Sequence, residues 1–283
     1  MNKTIKKVII ALMWGVMGRR NLARLARLMT NEVRFDLRND MASNGERLVQ
    51  KAALEIARSS TTPAIIFDAG ANIGDWTCSM IEMAAATAVS NIRIHSFEPC
   101  LATYETLCRN IARYENDSSV VPIQKAVSNE PGTAMLHVVG NGAGTNSLHQ
   151  HIDVSIARQE EIGLTTVDSY CRENRIEHLV ALKIDTEGHD QLVMEGAREM
   201  LDRGAIDLIQ FEYNHRWIIA RYFLRDSFSL LQSHGYHIGK ITPKGVEFYR
   251  DWHFELESFR EANYLACKQQ FMTCFPVIPW WND

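Results

Sequence analysis

The stretch that most limits the fold is AIIFDAGANIGDWTC, from Ala64 to Cys78. AIIFD reads as a buried strand that ends in an acid, Asp68. Gly70 and Gly74 then stand four apart, and a helix is expected over 75–88. A strand that passes through glycines straight into a helix is the opening unit of a parallel sheet. The chain repeats the unit. IRIHSFE (92–98) is a strand, LATYETLCRNIARY (101–114) a helix and VVPIQKAV (120–127) a strand. This rhythm predicts parallel strands with helices on both faces.

Beyond residue 127 the rhythm changes. SNEPGT (128–133) is a turn signal and AMLHVV (134–139) a strand, so a hairpin with 120–127 is expected. GNGAGTNSLHQH (140–151) is a glycine- and asparagine-rich loop, either bordering a site or crossing the surface. A short helix falls within 165–179. VALKID (180–185) is a second strand ending in an acid, followed by a helix over 189–204. IDLIQFEY (206–213) is a strand, 218–235 a helix, and YHIGKITPKGVEFYR and ANYLACK supply the last strands, expected to run antiparallel. A helix is also expected over 45–59.

With 283 residues, 46% of them hydrophobic, the chain can bury a sizeable core. A net charge of −4 argues against general nucleic-acid binding. Six cysteines without CxxC spacing suit buried thiols in a reducing cytoplasm. The N-terminus departs from this average. Lys3, Lys6, Lys7, Arg19, Arg20, Arg24 and Arg27 precede the first acid, Glu32. The apolar run between them is too short to span a bilayer. It resembles a signal peptide in charge and length, but GVMGRRN lacks a small-x-small cleavage site. Val8, Ile9, Leu12, Met13, Val16 and Met17 share a helical face. Residues 1–30 therefore read either as a helix on anionic lipid at the inner membrane surface, or as a cap on the main domain or on a sister subunit.

The glycine loop asks for a ligand. A residue without Cβ lets a ligand approach the main chain, and ligands of doubly wound sheets gather at strand carboxyl ends. The spacing Asp68-x-Gly70-x-Asn72-x-Gly74 is neither the dinucleotide pattern nor a P-loop. An acid at the strand tip disfavours phosphate and suits a cation. S-adenosylmethionine carries an ammonium and a sulfonium and no phosphate. Glu98, at the second strand tip, can accept from both ribose hydroxyls. Lys125 and Ala126, at the third, would border adenine by topology.

These segments resemble the FkbM family of S-adenosylmethionine-dependent methyltransferases. The resemblance runs from Pro63 to Lys268 and rests on FDAGANIG (67–74), SFEP (96–99), AVSNEPGTAMLHV (126–138), read as a hairpin, TTVDSY (165–170), LKIDTEGHD (182–190), EGAREML (195–201), FEYN (211–214) and NYLAC (263–267). It implies a class I methyltransferase (Rossmann-like) α/β fold: seven strands, the last antiparallel, with helices on both faces. The N-terminal helical extension (1–60) precedes the methyltransferase domain (61–283). By the resemblance, Asp68, Gly70, Asn72, Gly74 and Glu98 bind the cofactor, and the acceptor is a hydroxyl of a sugar, glycan or secondary metabolite.

Two mechanisms stay open for removing the hydroxyl proton. In one, Glu187, His189 or His215 is the general base and Asp185 positions donor or acceptor. In the other, Asp185, Glu212 and Asn214 hold a Mg²⁺ that lowers the acceptor pKa. Rival readings are transfer to nitrogen, an inactive cofactor-fold binding protein, and an NAD-dependent oxidoreductase. Trp76, Phe211 and Tyr213 serve equally as core or as ligand contacts.

Overall fold

A computed structural model describes residues 2–37, 40–114, 119–140, 144, 146–149 and 155–282. The chain opens with α1 (Lys3–Arg34), a helix broken at Gly18, whose φ is 72°. In chain order follow α2 (Glu46–Arg58), β1 (Ala64–Ala69), α3 (Asp75–Ala86), β2 (Ile92–Phe97), α4 (Leu101–Ile111), β3 (Val120–Ile123), β4 (Ala126–Val127), β5 (Gly132–Val138) and β6 (Arg158–Thr165). Then come α5 (Val167–Glu173), β7 (Leu179–Ile184), α6 (Asp190–Glu195), α7 (Arg198–Asp202), β8 (Ile206–Tyr213), α8 (Trp217–Ala220), α9 (Leu224–Ser233), β9 (His237–Thr242), β10 (Gly245–Tyr249) and β11 (Ala262–Cys267).

Eight strands form the main sheet in the order β10-β9-β11-β8-β7-β1-β2-β3. The five from β3 to β8 are mutually parallel, and β11 runs antiparallel to both β8 and β9. This is the expected α/β architecture with one strand more. β10 pairs antiparallel at the edge beyond β9. Of the three final strands, expected to be antiparallel, β9 instead shares the direction of β8, because β11 intervenes between them.

Register sorts the side chains into two layers. Phe67, Leu182 and Ile209 stand side by side and pack against α6, α7 and α9. One position earlier, Ile66, Ala181 and Leu208 face the other way, toward α2 and α3. Strands buried on both faces have no polar side to show, hence their continuous apolar runs. Val49, Ala52, Ala53 and Ala57 of α2 share a core with Ile66, Trp76 and Met80. So α2, counted by sequence with the N-terminal extension, packs as part of the sheet's own layer.

The expected hairpin is not present. β5 pairs antiparallel with β6, across residues 139–157, and β4 joins β6 in parallel to give a small second sheet. β3 belongs to the main sheet through β2. The helix expected over 189–204 is two, because the chain at Gly196 presses on the main chain of Ser128, where a Cβ would lie 2.0 Å from the carbonyl oxygen. The helix expected over 218–235 is likewise divided, at Arg221 (φ 62°).

Candidate active site

A polar row crosses four strands, Ser96, Asp68, Lys183 and Gln210, one position before the end in β2, β1 and β7 and three before it in β8. Each lies inside an apolar run and each is buried, so each needs a partner. Lys183 Nζ lies 3.1 Å from Asp68 Oδ1 and 3.4 Å from Asp185 Oδ2. Burial alone would lower the pKa of this ammonium, but Asp68, then Asp185 and Glu46, more than offset it and hold it above the usual lysine range. The Thr77 hydroxyl donates to Asp68 Oδ2 (2.7 Å), and Gln210 Nε2 donates to Glu46 Oε2 (2.6 Å). The row ties α2 and α3 to the sheet directly beneath the loops.

Three clefts open between those loops, and Asp185 is the one residue among the described ones that borders all three. The first is lined by Gly70, Asn72, Glu98, Ala126, Leu148 and His189. Its floor is Glu98, which accepts from the N–H groups of Asn72 (3.1 Å) and Cys100 (2.9 Å). Burial pushes the Glu98 carboxyl up to about 7 against those two bonds. Asn72 Oδ1 and the Thr186 hydroxyl, both from residues bordering this cleft, are buried without a partner among the described residues. The second cleft passes Asp75, Trp76 and Tyr114. The third is an acidic chamber of 340 Å³, within the range of small-molecule pockets (~300–1,000 Å³). Glu46, Asp185, Glu187, Glu212 and Glu261 line it, with Arg216 and Asn263.

Glu187 borders both the first cleft and the chamber. It holds a left-handed backbone, φ 57°, beside Gly188 at 92°, a strain that non-glycine residues carry mostly at functional sites. Its carboxylate pairs with the Arg216 guanidinium at 2.5 Å. Burial, then Asp185, push the carboxyl up to about 9 despite Arg216. Glu212 is raised too, by burial and then by Asp185 and Glu187. The chamber is therefore short of positive charge.

Other residues singled out by sequence stand elsewhere. Asp68 is fully buried beneath the first cleft, spent on Lys183 and Thr77, and supports the loop instead of lining it. Gly70 does line the cleft, but its missing Cβ makes room for the chain itself: a Cβ there would lie 1.9 Å from the Asp185 carbonyl oxygen. Gly74 caps α3, and a Cβ would meet Leu107 at 2.6 Å. Ala126 lines the cleft, whereas Lys125 is exposed, its stem beside Gly163. His189 is buried between Ser128 Oγ (2.9 Å) and His149 Nε2 (3.1 Å), and burial, then His149, push it down to about 3. A neutral ring with both nitrogens engaged is not a ready base. His215 is exposed and borders none of the three clefts; Arg216 takes the inward place.

Asp185, Glu212 and Asn214 do not fit a magnesium ion. Asn214 Oδ1 accepts from Arg216 N (2.8 Å), its amide donates to Glu212, and Asp185 is paired with Lys183. Among the described residues no three His, Cys, Asp or Glu side chains are grouped to hold a metal ion. Of the loop 140–151, Gly144, Asn146, Ser147 and Leu148 line the first cleft. The Ser147 hydroxyl donates to the Glu187 carbonyl oxygen (2.9 Å). Residues 141–143, 145, 150 and 151 lie outside the described ones. Sequence reasoning missed Lys183, Arg216, Glu46 and Glu261. Only Lys183 carried a signal, a cation inside a buried strand.

A family model of the methyltransferase FkbM domain matches residues 68–238. Among solved structures, the fold is similar to an FkbM methyltransferase from Methylobacillus flagellatus, at 17% identity and a TM-score of 0.46. That likeness covers 72% of this chain and 43% of the other, so the chain spans less than half of that protein's length. It is also similar to the magnesium protoporphyrin IX methyltransferase of Synechocystis, solved with bound SAM, at 7% identity and a TM-score of 0.41 over 80% of this chain and 79% of that one. No curated protein matches the chain in sequence.

Proposed function

The chain belongs to the methyltransferase FkbM domain family, and from that premise we propose that it moves a methyl group from S-adenosylmethionine to a hydroxyl of a sugar, glycan or secondary metabolite. The observation that carries the reading is the meeting of the three clefts at Asp185. One cleft holds the adenosine, and the acidic chamber holds the acceptor.

The residues of the first cleft suit the donor. Glu98 keeps lone pairs for ribose hydroxyls beyond its two backbone bonds. Asn72 Oδ1 and the Thr186 hydroxyl offer unpaired polar atoms. S-adenosylmethionine supplies an electrophilic methyl on a cationic sulfur. Asp185, half-exposed at the junction, steadies positive charge there. Glu187 is placed to take the hydroxyl proton, its raised carboxyl giving it basicity once ionised. Arg216 holds the Glu187 carboxylate in place. The chamber's carboxylates accept hydrogen bonds from further hydroxyls.

A second reading, transfer to an amine nitrogen, draws on the same chamber, because five carboxylates would also hold an ammonium. The test has two stages. Calorimetric titration with S-adenosylhomocysteine and with NAD comes first; binding of NAD alone would overturn the assignment. Tritiated methyl transfer to polyol and amine panels follows, with D185N and E187Q. Loss of turnover of at least about 100-fold in E187Q, with homocysteine-analogue binding retained, is expected. Unchanged turnover in both variants would sink the roles given to them.

A further inference from the structure

We infer that α1 is an interfacial anchor that lies on an anionic lipid bilayer. The helix is not part of the domain's core: none of its residues is buried. Only its end is fixed. Arg34 donates to the Glu255 carbonyl oxygen (2.9 Å), Asp36 pairs with the buried Lys240, and Arg260 donates to Asn31.

Charge gives the first argument. Seven of the chain's 30 Lys and Arg stand on α1 before its first acid, while the remaining 23 face all 34 Asp and Glu. All seven cations are exposed. A cationic helix on an acidic body is drawn to a negative surface, with each cation near lipid contributing about 1 kcal/mol.

Apolar surface gives the second and separates lipid from a protein or nucleic-acid partner. Before the break at Gly18, Ile5, Val8, Ile9, Leu12, Trp14 and Val16 are exposed, Val16 by 86%. Ile9 and Ile10 are neighbours, and Trp14 and Val16 are two apart, so these side chains point widely around the helix. A protein groove covers one stripe; acyl chains cover a broad arc while Lys3, Lys6 and Lys7 reach back to headgroups. The run 8–17 is about 15 Å long, half of a bilayer core of about 30 Å, and no helix among the described residues is long and apolar enough to cross a membrane. It suits the interface. Beyond Gly18, Leu22, Leu25, Met29 and Val33 form a stripe opposite Arg20, Arg24 and Arg27. That stripe continues onto the body through Trp281, which shares a surface groove with Met29 and Val33, and Phe254 is exposed nearby in sequence to Glu255 of the same groove. Trp belongs at such interfaces.

On the functional reading above, the anchor also brings the acidic chamber to the lipid surface. Leu37 N–H, three residues past α1, donates to the Glu261 carbonyl oxygen (2.9 Å), and Glu261 lines the chamber.

The full chain is sedimented with vesicles of phosphatidylcholine alone and of an equimolar mixture with phosphatidylglycerol, so the readout is independent of methyl transfer. Partition into the mixed vesicles, weakened by salt, is expected. Replacing Arg20, Arg24 and Arg27 together by Gln should lower it by about 100-fold, and W14S with V16S by about tenfold or more. Both variants should melt at the temperature of the parent, since no α1 residue is buried. No partition, or equal partition into neutral vesicles, would overturn the inference. So would a dimer that W14S/V16S dissociates in the absence of lipid binding, which would make the helix a subunit contact.

Discussion

Replacing Lys183 by Met tests the polar row from which the site is built. At 3.1 Å, the Lys183–Asp68 attraction is about 5 kcal/mol at an effective dielectric of 20. The second pair, to Asp185 at 3.4 Å, counts for less because the Asp185 side chain is 40% exposed and screened by water. Desolvating Lys183 and Asp68 offsets much of this gross attraction. Removing one partner of a buried pair nevertheless costs about 3–5 kcal/mol, since the other charge stays behind unpaired. Asp68 cannot escape to water, being fully buried under α3. Urea unfolding of K183M should therefore show a loss of about 3–5 kcal/mol. The double variant D68N/K183M leaves no buried charge in that pair, and its amide oxygen can still accept from Thr77. It should recover most of the loss. It should not recover turnover, because Asp185 has lost its cation in both. A loss under about 1 kcal/mol in K183M, or a double variant as unstable as the single, would refute the coupling.

G70A should cost at least about 2 kcal/mol and weaken S-adenosylhomocysteine binding, because a Cβ at φ 81° and 1.9 Å from the Asp185 carbonyl must displace that strand exit; urea unfolding and calorimetry measure both. Glu98 takes up its proton as pH falls through about 7, and a protonated carboxyl accepts fewer ribose hydroxyls. Affinity for S-adenosylhomocysteine should thus fall by up to about tenfold between pH 7 and pH 6, and E98Q should bind weakly with a flat profile. Burial, then neighbouring carboxylates, raise the pKa of Glu187 and of Glu212, so a cation entering nearby should lower both and favour proton release. Calorimetry in buffers of different ionisation enthalpy should show more protons released by S-adenosylmethionine than by its neutral product; equal release would count against a shared electrostatic site.

The sheet was legible because its strands are buried on both faces and so are written as unbroken apolar runs, AIIFD and VALKI among them. The acids Glu98 and Asp185 were legible for the complementary reason: a charge closing such a run must sit at the strand tip. What failed was side-chain direction past the tips. His215 and Arg216 differ by one position, and only the turn after β8 decides that Arg216 faces Glu187. Lys125 and Ala126 differ by the phase of β4. The pairing of β5 misled for a related reason. Pro131-Gly132 is good local turn chemistry, but the partner strand lies beyond the loop, in β6, and nothing local announces it. Glu46 and Glu261 belong to segments without a motif and reach the chamber through long-range packing alone.

The distribution of charge across the junction favours the proposed direction of transfer. Besides Asp185 and Glu187, which it shares with the chamber, the first cleft offers one carboxylate, Glu98, already committed to two backbone N–H groups. The chamber offers five, opposed by a single guanidinium. On the proposed reading, an acceptor oxygen gains positive charge inside the chamber as it gains a methyl group, where low dielectric strengthens each interaction. The carboxylates are fixed beforehand: Glu46 by Asn44 and Gln210, Glu187 by Arg216, Glu212 by Asn214. Little reorganisation is then needed when the charge arrives. The burial that raises the pKa values of Glu187 and Glu212 is the same burial that makes them effective when a cation forms beside them.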